Sequence, residues 1–111
     1  MPISDSNKSY FDDQVASADI LNNGGTQAAL IVGTTAVEVK VGAFRLEGRK
    51  TVTLYNNSNK TIYWGYNNTV TTSSGTPIQK KELVTWEAGD NQEIWIISDS
   101  SGNNVRVTEA G

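Results

Sequence analysis

The chain has 111 residues, 12 acidic and 9 basic, with a net charge of -3 and neither cysteine nor histidine. That length supports one modest core, and the missing residue types exclude disulfides, thiolate metal sites and the commonest general base. The longest basic runs, Arg49-Lys50 and Lys80-Lys81, are too short for a nucleic-acid patch, and no apolar run is long enough to cross a bilayer.

Asn, Thr and Ser together supply 33 of the 111 residues. Thr suits strands, while Asn and Ser suit turns, so this surplus predicts many short strands closely joined. The first residues, Met1 to Asn7, lack the basic and apolar segments of a signal peptide, which predicts retention in the cytoplasm.

Residues 1–27 read as an arm. Phe11, Val15 and Ala18 lie at helical spacing, so the arm is either extended or forms one short helical turn. Its apolar residues Tyr10, Phe11, Val15, Ile20 and Leu21 are too few for a core and are candidate contacts with a partner. Asn22-Asn23-Gly24-Gly25 breaks the chain, and residues 28–111 read as a β domain.

Ala28 to Val32 is a short apolar strand. Ala36 to Val41 alternates, with Val37, Val39 and Val41 facing inward and Glu38 and Lys40 outward. Thr51 to Tyr55 and Thr61 to Trp64 flank the polar run Asn56-Asn-Ser-Asn59, which predicts a hairpin with Val52 and Leu54 on one core face and Ile62 and Trp64 on the other.

Residues 65–76 form a polar loop in which Tyr66 and Val70 are candidate interface residues. Glu82 to Trp86 is a strand, and the apolar run Ile94 to Ile97 predicts a central strand buried on both faces. Val105-Arg-Val107 closes the chain. Seven or eight short strands, spaced about ten residues apart, predict an all-β, antiparallel sandwich or small barrel.

Glu87, Asp90 and Glu93 gather around one turn, and solvated turn carboxylates explain them without catalysis. Asp99-x-Ser101-x-Asn103 has the oxygen spacing of a calcium loop, but Gly102 is misplaced and the flanks are strands, so it reads as a surface turn. Trp64 and Trp95 read as core. Tyr63, Tyr66 and Trp86 are the aromatic residues expected to be exposed, where they could stack on a sugar or anchor a protein contact. No residue takes a catalytic, cofactor-binding or metal-ligating role.

One ordered set of short motifs runs through residues 43–109. It comprises Gly48-Arg49, Val52-Thr-Leu-Tyr-Asn56, Ile62-Tyr-Trp-Gly65, Gly75-Thr-Pro-Ile78, Ala88-Gly89, Ile94-Trp-Ile-Ile97 and Val105-Arg-Val107. This pattern resembles the small structural proteins of tailed-phage virions. The resemblance implies a non-enzymatic β-sandwich or β-barrel without cofactors, assembled as a homo-oligomer on a symmetric site. Its expected partner is the major capsid protein or another virion protein, rather than nucleic acid or membrane. Its expected location is the virion, after assembly in the host cytoplasm.

A capsid decoration protein is the leading expectation, bound through the arm and the domain surface. The alternatives are a collar, tail or fibre-attachment component, and a carbohydrate-binding β module.

Overall fold

The computed structural model describes residues 24–111. Eight strands follow in order: β1 (Gly25–Val32), β2 (Val37–Glu38), β3 (Thr51–Asn56), β4 (Ile62–Gly65), β5 (Thr76–Ile78), β6 (Leu83–Trp86), β7 (Trp95–Ile97) and β8 (Asn103–Ala110). Gly25, Thr26 and Gln27, read in the sequence as the end of the arm, lie within β1.

Two four-stranded antiparallel sheets form, ordered β1-β8-β3-β6 and β2-β7-β4-β5. Six of the seven connections pass from one sheet to the other, and only β4 and β5 are consecutive neighbours in one sheet. This strand order is the eight-stranded jelly roll, a sandwich of two interlocked Greek keys.

The alternating sequence faces explain the interior. In β3, Val52 and Leu54 are fully buried while Thr51, Thr53 and Tyr55 are half-buried on the other face. In β8, Val105, Val107 and Glu109 point inward, with Arg106 and Thr108 outward. Ile62 of β4, Ile78 of β5 and Ile96 of β7 supply the opposite wall. Each such aliphatic contributes about 1.5–3 kcal/mol on burial. The expected inward set Val37, Val39 and Val41 packs on this core, although β2 itself spans only two residues.

The predicted hairpin is not one. β3 bonds to β6 and β8, whereas β4 bonds to β5 and β7, so residues 57–61 arch between the sheets. Val52 and Leu54 therefore face Ile62 and Trp64 across the core rather than beside them. Asn56 explains the arch. Its fully buried amide donates to the carbonyls of Lys60, Ile78 and Gln79, and its Oδ1 accepts from the Ser58 N–H and hydroxyl. The polar run is thus an inward-turned clamp that ties the β3–β4 arch to the β5–β6 turn.

Asn103 does the same for the β7–β8 turn. Its amide donates to the Val32 and Ser100 carbonyls and to the Ser98 hydroxyl. The run Asp99 to Asn103 is accordingly a structural turn. The connections at residues 33–36, 57–61, 79–82 and 98–102 share this asparagine-pinned end. Residues 39–50, 66–75 and 87–94 share the opposite end, together with Gly24 and Gly111, which are joined by a backbone hydrogen bond of 3.0 Å.

Candidate interaction surface

The second end is built on a buried ion pair. Gly48 adopts a φ of 72°, a left-handed conformation that favours glycine, and turns the chain so that Arg49 enters the core. Arg49 Nη1 lies 2.7 Å from Glu109 Oε2, with the two side chains 0% and 1% exposed. Arg49 Nε donates to the Ala88 carbonyl and its Nη2 to the carbonyls of Gly89 and Gln92. Glu109 in turn accepts from the backbone N–H groups of Val41 and Leu46. One pair therefore fastens loop 39–50 and loop 87–94 to β8.

Two further contacts tie these loops together. Arg45 Nε donates to the Asp90 carbonyl, and the Gly48 N–H donates to the Asp90 carboxylate. Glu38 is ion-paired with Lys40 and Arg45, so the expected outward Glu38 retains only 9% side-chain exposure. Between the loops lies a shallow depression of 360 Å³ bordered by Glu38, Lys40, Phe44, Arg45, Glu47 and Asp90.

Loop 66–75 folds onto the outer face of β4. Val70 is 7% exposed, and a Cβ on either Gly65 or Gly75 would stand 2.9 Å from its Cγ2. Both glycines are needed for that close approach. Thr71 caps the far turn by accepting from the Ser73 and Ser74 N–H groups, while Asn67 accepts from the Thr69 N–H and hydroxyl. A loop this polar holds one shape because its side chains bond its own backbone.

Tyr66 projects from the start of this loop with 61% exposure. Its ring meets Trp64 edge-on, with centroids 5.2 Å apart and planes at 88°. Trp64 meets Trp86 in the same manner at 5.2 Å and 70°. The three rings form a path from core to surface, and the edge-on contact restrains the Tyr66 ring.

Several expectations about aromatic residues change. Trp86, expected to be exposed, is 9% exposed because alternation along β6 puts it on the inner face with Val84. Its Nε1 is buried without an acceptor. Trp95, expected in the core, occupies the outer face of β7 beside Ile96, and its Nε1 donates to Glu93 at 2.6 Å. β7 does lie inside its sheet, between β2 and β4, with Ile96 fully buried.

Of the candidate contact residues, Tyr66 is exposed and Val70 is turned inward as the anchor of its loop. Tyr10, Phe11, Val15, Ile20 and Leu21 lie outside the described residues. Residues 1–23 nevertheless join the domain at Gly24, and so at the end that carries Tyr66. That end also carries a residue that sequence reading passed over. Phe44 is 85% exposed at the tip of loop 39–50. The signal was present in Gly42-Ala-Phe, where a lone aromatic follows a turn glycine and lacks the alternation of a strand.

Compared with known protein families and with curated protein sequences, the chain matches none.

Proposed function

We propose that this jelly roll is a structural protein of a tailed-phage virion, a non-enzymatic decoration protein that docks on the capsid shell. The observation that carries this reading is the convergence on one end of three features: the exposed Phe44 tip, the restrained Tyr66 ring and the point where residues 1–23 join. Exposed aromatic residues on fixed loops are the usual anchors of protein interfaces. Covering Phe44 and Tyr66 contributes roughly 1.5–3 kcal/mol each, and Tyr10, Phe11, Val15, Ile20 and Leu21 of the arm extend the same contact. Assembly as a homo-oligomer on symmetric sites multiplies this modest affinity.

The motifs that carry the resemblance to virion proteins also have structural reasons to be there. Gly48-Arg49 and Ala88-Gly89 belong to the buried ion-pair network, Asn56 is an arch clamp, and Gly65 and Gly75 make room for Val70. Jelly rolls serve both viral shells and lectins. The lectin alternative has less support, because Trp86 is buried and Tyr63 is half-covered, which leaves Tyr66 alone among the three stacking candidates.

Co-sedimentation with undecorated shells tests the proposal. Saturable binding is expected, weakened tenfold or more by Phe44→Ser or Tyr66→Ser and by removal of residues 2–23. Absence of shell binding would contradict decoration and favour a collar, tail or fibre-attachment role within the particle.

A further inference from the structure

The four sheet edges are not equally protected. β2 has two residues, β5 has three and contains Pro77, and β6 has four. Short strands and proline are common ways of blunting an edge against unwanted pairing. β1 has neither device. It runs for eight residues, Gly-Thr-Gln-Ala-Ala-Leu-Ile-Val, without charge or proline. Its register with β8 is continuous from Gly25↔Ala110 to Val32↔Asn103, without a bulge.

The Gly111 N–H donates to the Gly24 carbonyl. Antiparallel alternation then directs the backbone groups of Thr26, Ala28, Leu30 and Val32 toward β8. Those of Gly25, Gln27, Ala29 and Ile31 point away from the sheet, with no strand beside them among the described residues.

We propose that this edge pairs with β1 of a second copy of the chain, antiparallel about a two-fold axis through Ala28, joining two four-stranded sheets into one of eight strands. Charge permits it: the strand is neutral, so no like charges meet across the axis although each chain carries -3. Register favours it as well. With Ala28 opposite its own copy, all four outward residues exchange hydrogen bonds, Gly25 with Ile31 and Gln27 with Ala29.

Side-chain sizes then complement each other. Ile31, 56% exposed in the single chain, comes to lie over a glycine, and Gln27 over an alanine. Thr26 meets Leu30 on the inner face, so inner and outer faces remain continuous across the axis. Ala28 and Ala29 also keep the middle of the strand slender, with a hollow of 260 Å³ over the β1–β8 pair bordered by Gln27, Arg106, Val107 and Thr108. This pairing names the surface for self-association and does not depend on the virion reading.

A strand edge is smaller than a standard interface, so the dimer is concentration-dependent. A crosslink reads it directly. Ala28 and its copy form a non-hydrogen-bonded pair about 4.5 Å apart at Cα, within disulfide range, and the chain has no native cysteine to compete. The full-length Ala28→Cys protein is expected to form a disulfide dimer under mild oxidant. Ala29→Cys, displaced by two residues across the axis, and Thr85→Cys on the β6 edge are expected to remain monomeric.

Ala29→Pro removes an outward N–H that β8 does not use. It is expected to abolish the dimer in sedimentation velocity while keeping the circular dichroism spectrum and the melting temperature of the monomer. Ile31→Lys, which replaces the apolar side chain lying over Gly25 of the copy with a charge, is expected to weaken the dimer. An uncrosslinked Ala28→Cys protein would overturn the proposal, including the case where residues 1–23 or another protein cover the edge. Crosslinking at Ala29→Cys but not Ala28→Cys would overturn the register, and an Ala29→Pro protein that dimerises like the wild type would overturn the edge itself.

Discussion

Replacing Arg49 with methionine would leave the Glu109 carboxylate, 1% exposed, with two backbone N–H donors at 3.0 and 3.3 Å and no cation. A buried charge stripped of its partner costs about 3–5 kcal/mol. Glu109→Leu makes the reciprocal error, leaving a fully buried guanidinium with only three carbonyl oxygens, and belongs near the lower end of that range. In Arg49→Met/Glu109→Leu no charge is stranded. Five backbone groups lose a side-chain partner, but only the Ala88 carbonyl bond is fully buried, and the others are near enough to the surface to take water. The double variant is therefore expected to lose about 1–3 kcal/mol, less than either single variant.

Set against a typical total of about 5–15 kcal/mol, each single change is severe. At about 4 °C per kcal/mol for a small domain, each lowers the melting temperature by about 15 °C. Urea unfolding followed by circular dichroism and tryptophan fluorescence measures all four corners of the cycle. Single variants within about 1 kcal/mol of wild type, or a double variant as costly as the sum of the two, would refute the assigned role of the pair.

The other clamps and loops make further predictions. Asn56→Asp turns a donor to three carbonyls into a second acceptor, and is expected to cost about 3 kcal/mol or more in urea unfolding, exceeding the cost of Asn56→Ala. Gly65→Ala places a methyl group against Val70 Cγ2 and is expected to lift loop 66–75, read as new proteolytic cleavage between residues 66 and 75, while Gly42→Ala, whose methyl would meet only the Phe44 carbonyl oxygen at an ordinary 4.0 Å, leaves the digest unchanged. Phe44→Ser is expected to change stability by less than about 0.5 kcal/mol, so its loss of shell binding would report contact rather than unfolding. Trp86→Phe removes a buried N–H that has no acceptor, a gain that offsets much of the lost contact area, and is expected to fall within about 1 kcal/mol of wild type in the same urea assay.

The strands were legible because the inner face of a sandwich imposes a period of two on sequences such as Thr51 to Asn56 and Asn103 to Ala110. Pairing was not. The run Asn56-Asn-Ser-Asn59 has the composition of a hairpin turn, and the acceptors that make it an arch lie at Ile78 and Gln79, more than twenty residues away. The ion pair was hidden for the same reason, since 60 positions separate Arg49 from Glu109.

The tryptophans were misassigned where local context obscured the period. Trp86 sits next to a turn and resembled a rim residue, and Trp95 stands in an unbroken apolar run that conceals which face it takes. The candidate surface was half visible. The exposure of Tyr66 was legible because polar neighbours surround it. Its restraint by Trp64, the inward turn of Val70 and the exposure of Phe44 depend on contacts and loop shape that no linear pattern encodes.

Copy number in the purified particle tests the central claim most directly. Quantitative mass spectrometry of virions, with the major capsid protein as internal standard, gives copies of this chain per shell. Decoration predicts a high number, on the order of hundreds, in a fixed ratio to the capsid subunit and lost together with residues 2–23. A dozen or fewer copies would assign the chain to a vertex, collar or tail, and its absence from washed particles would contradict the virion reading altogether.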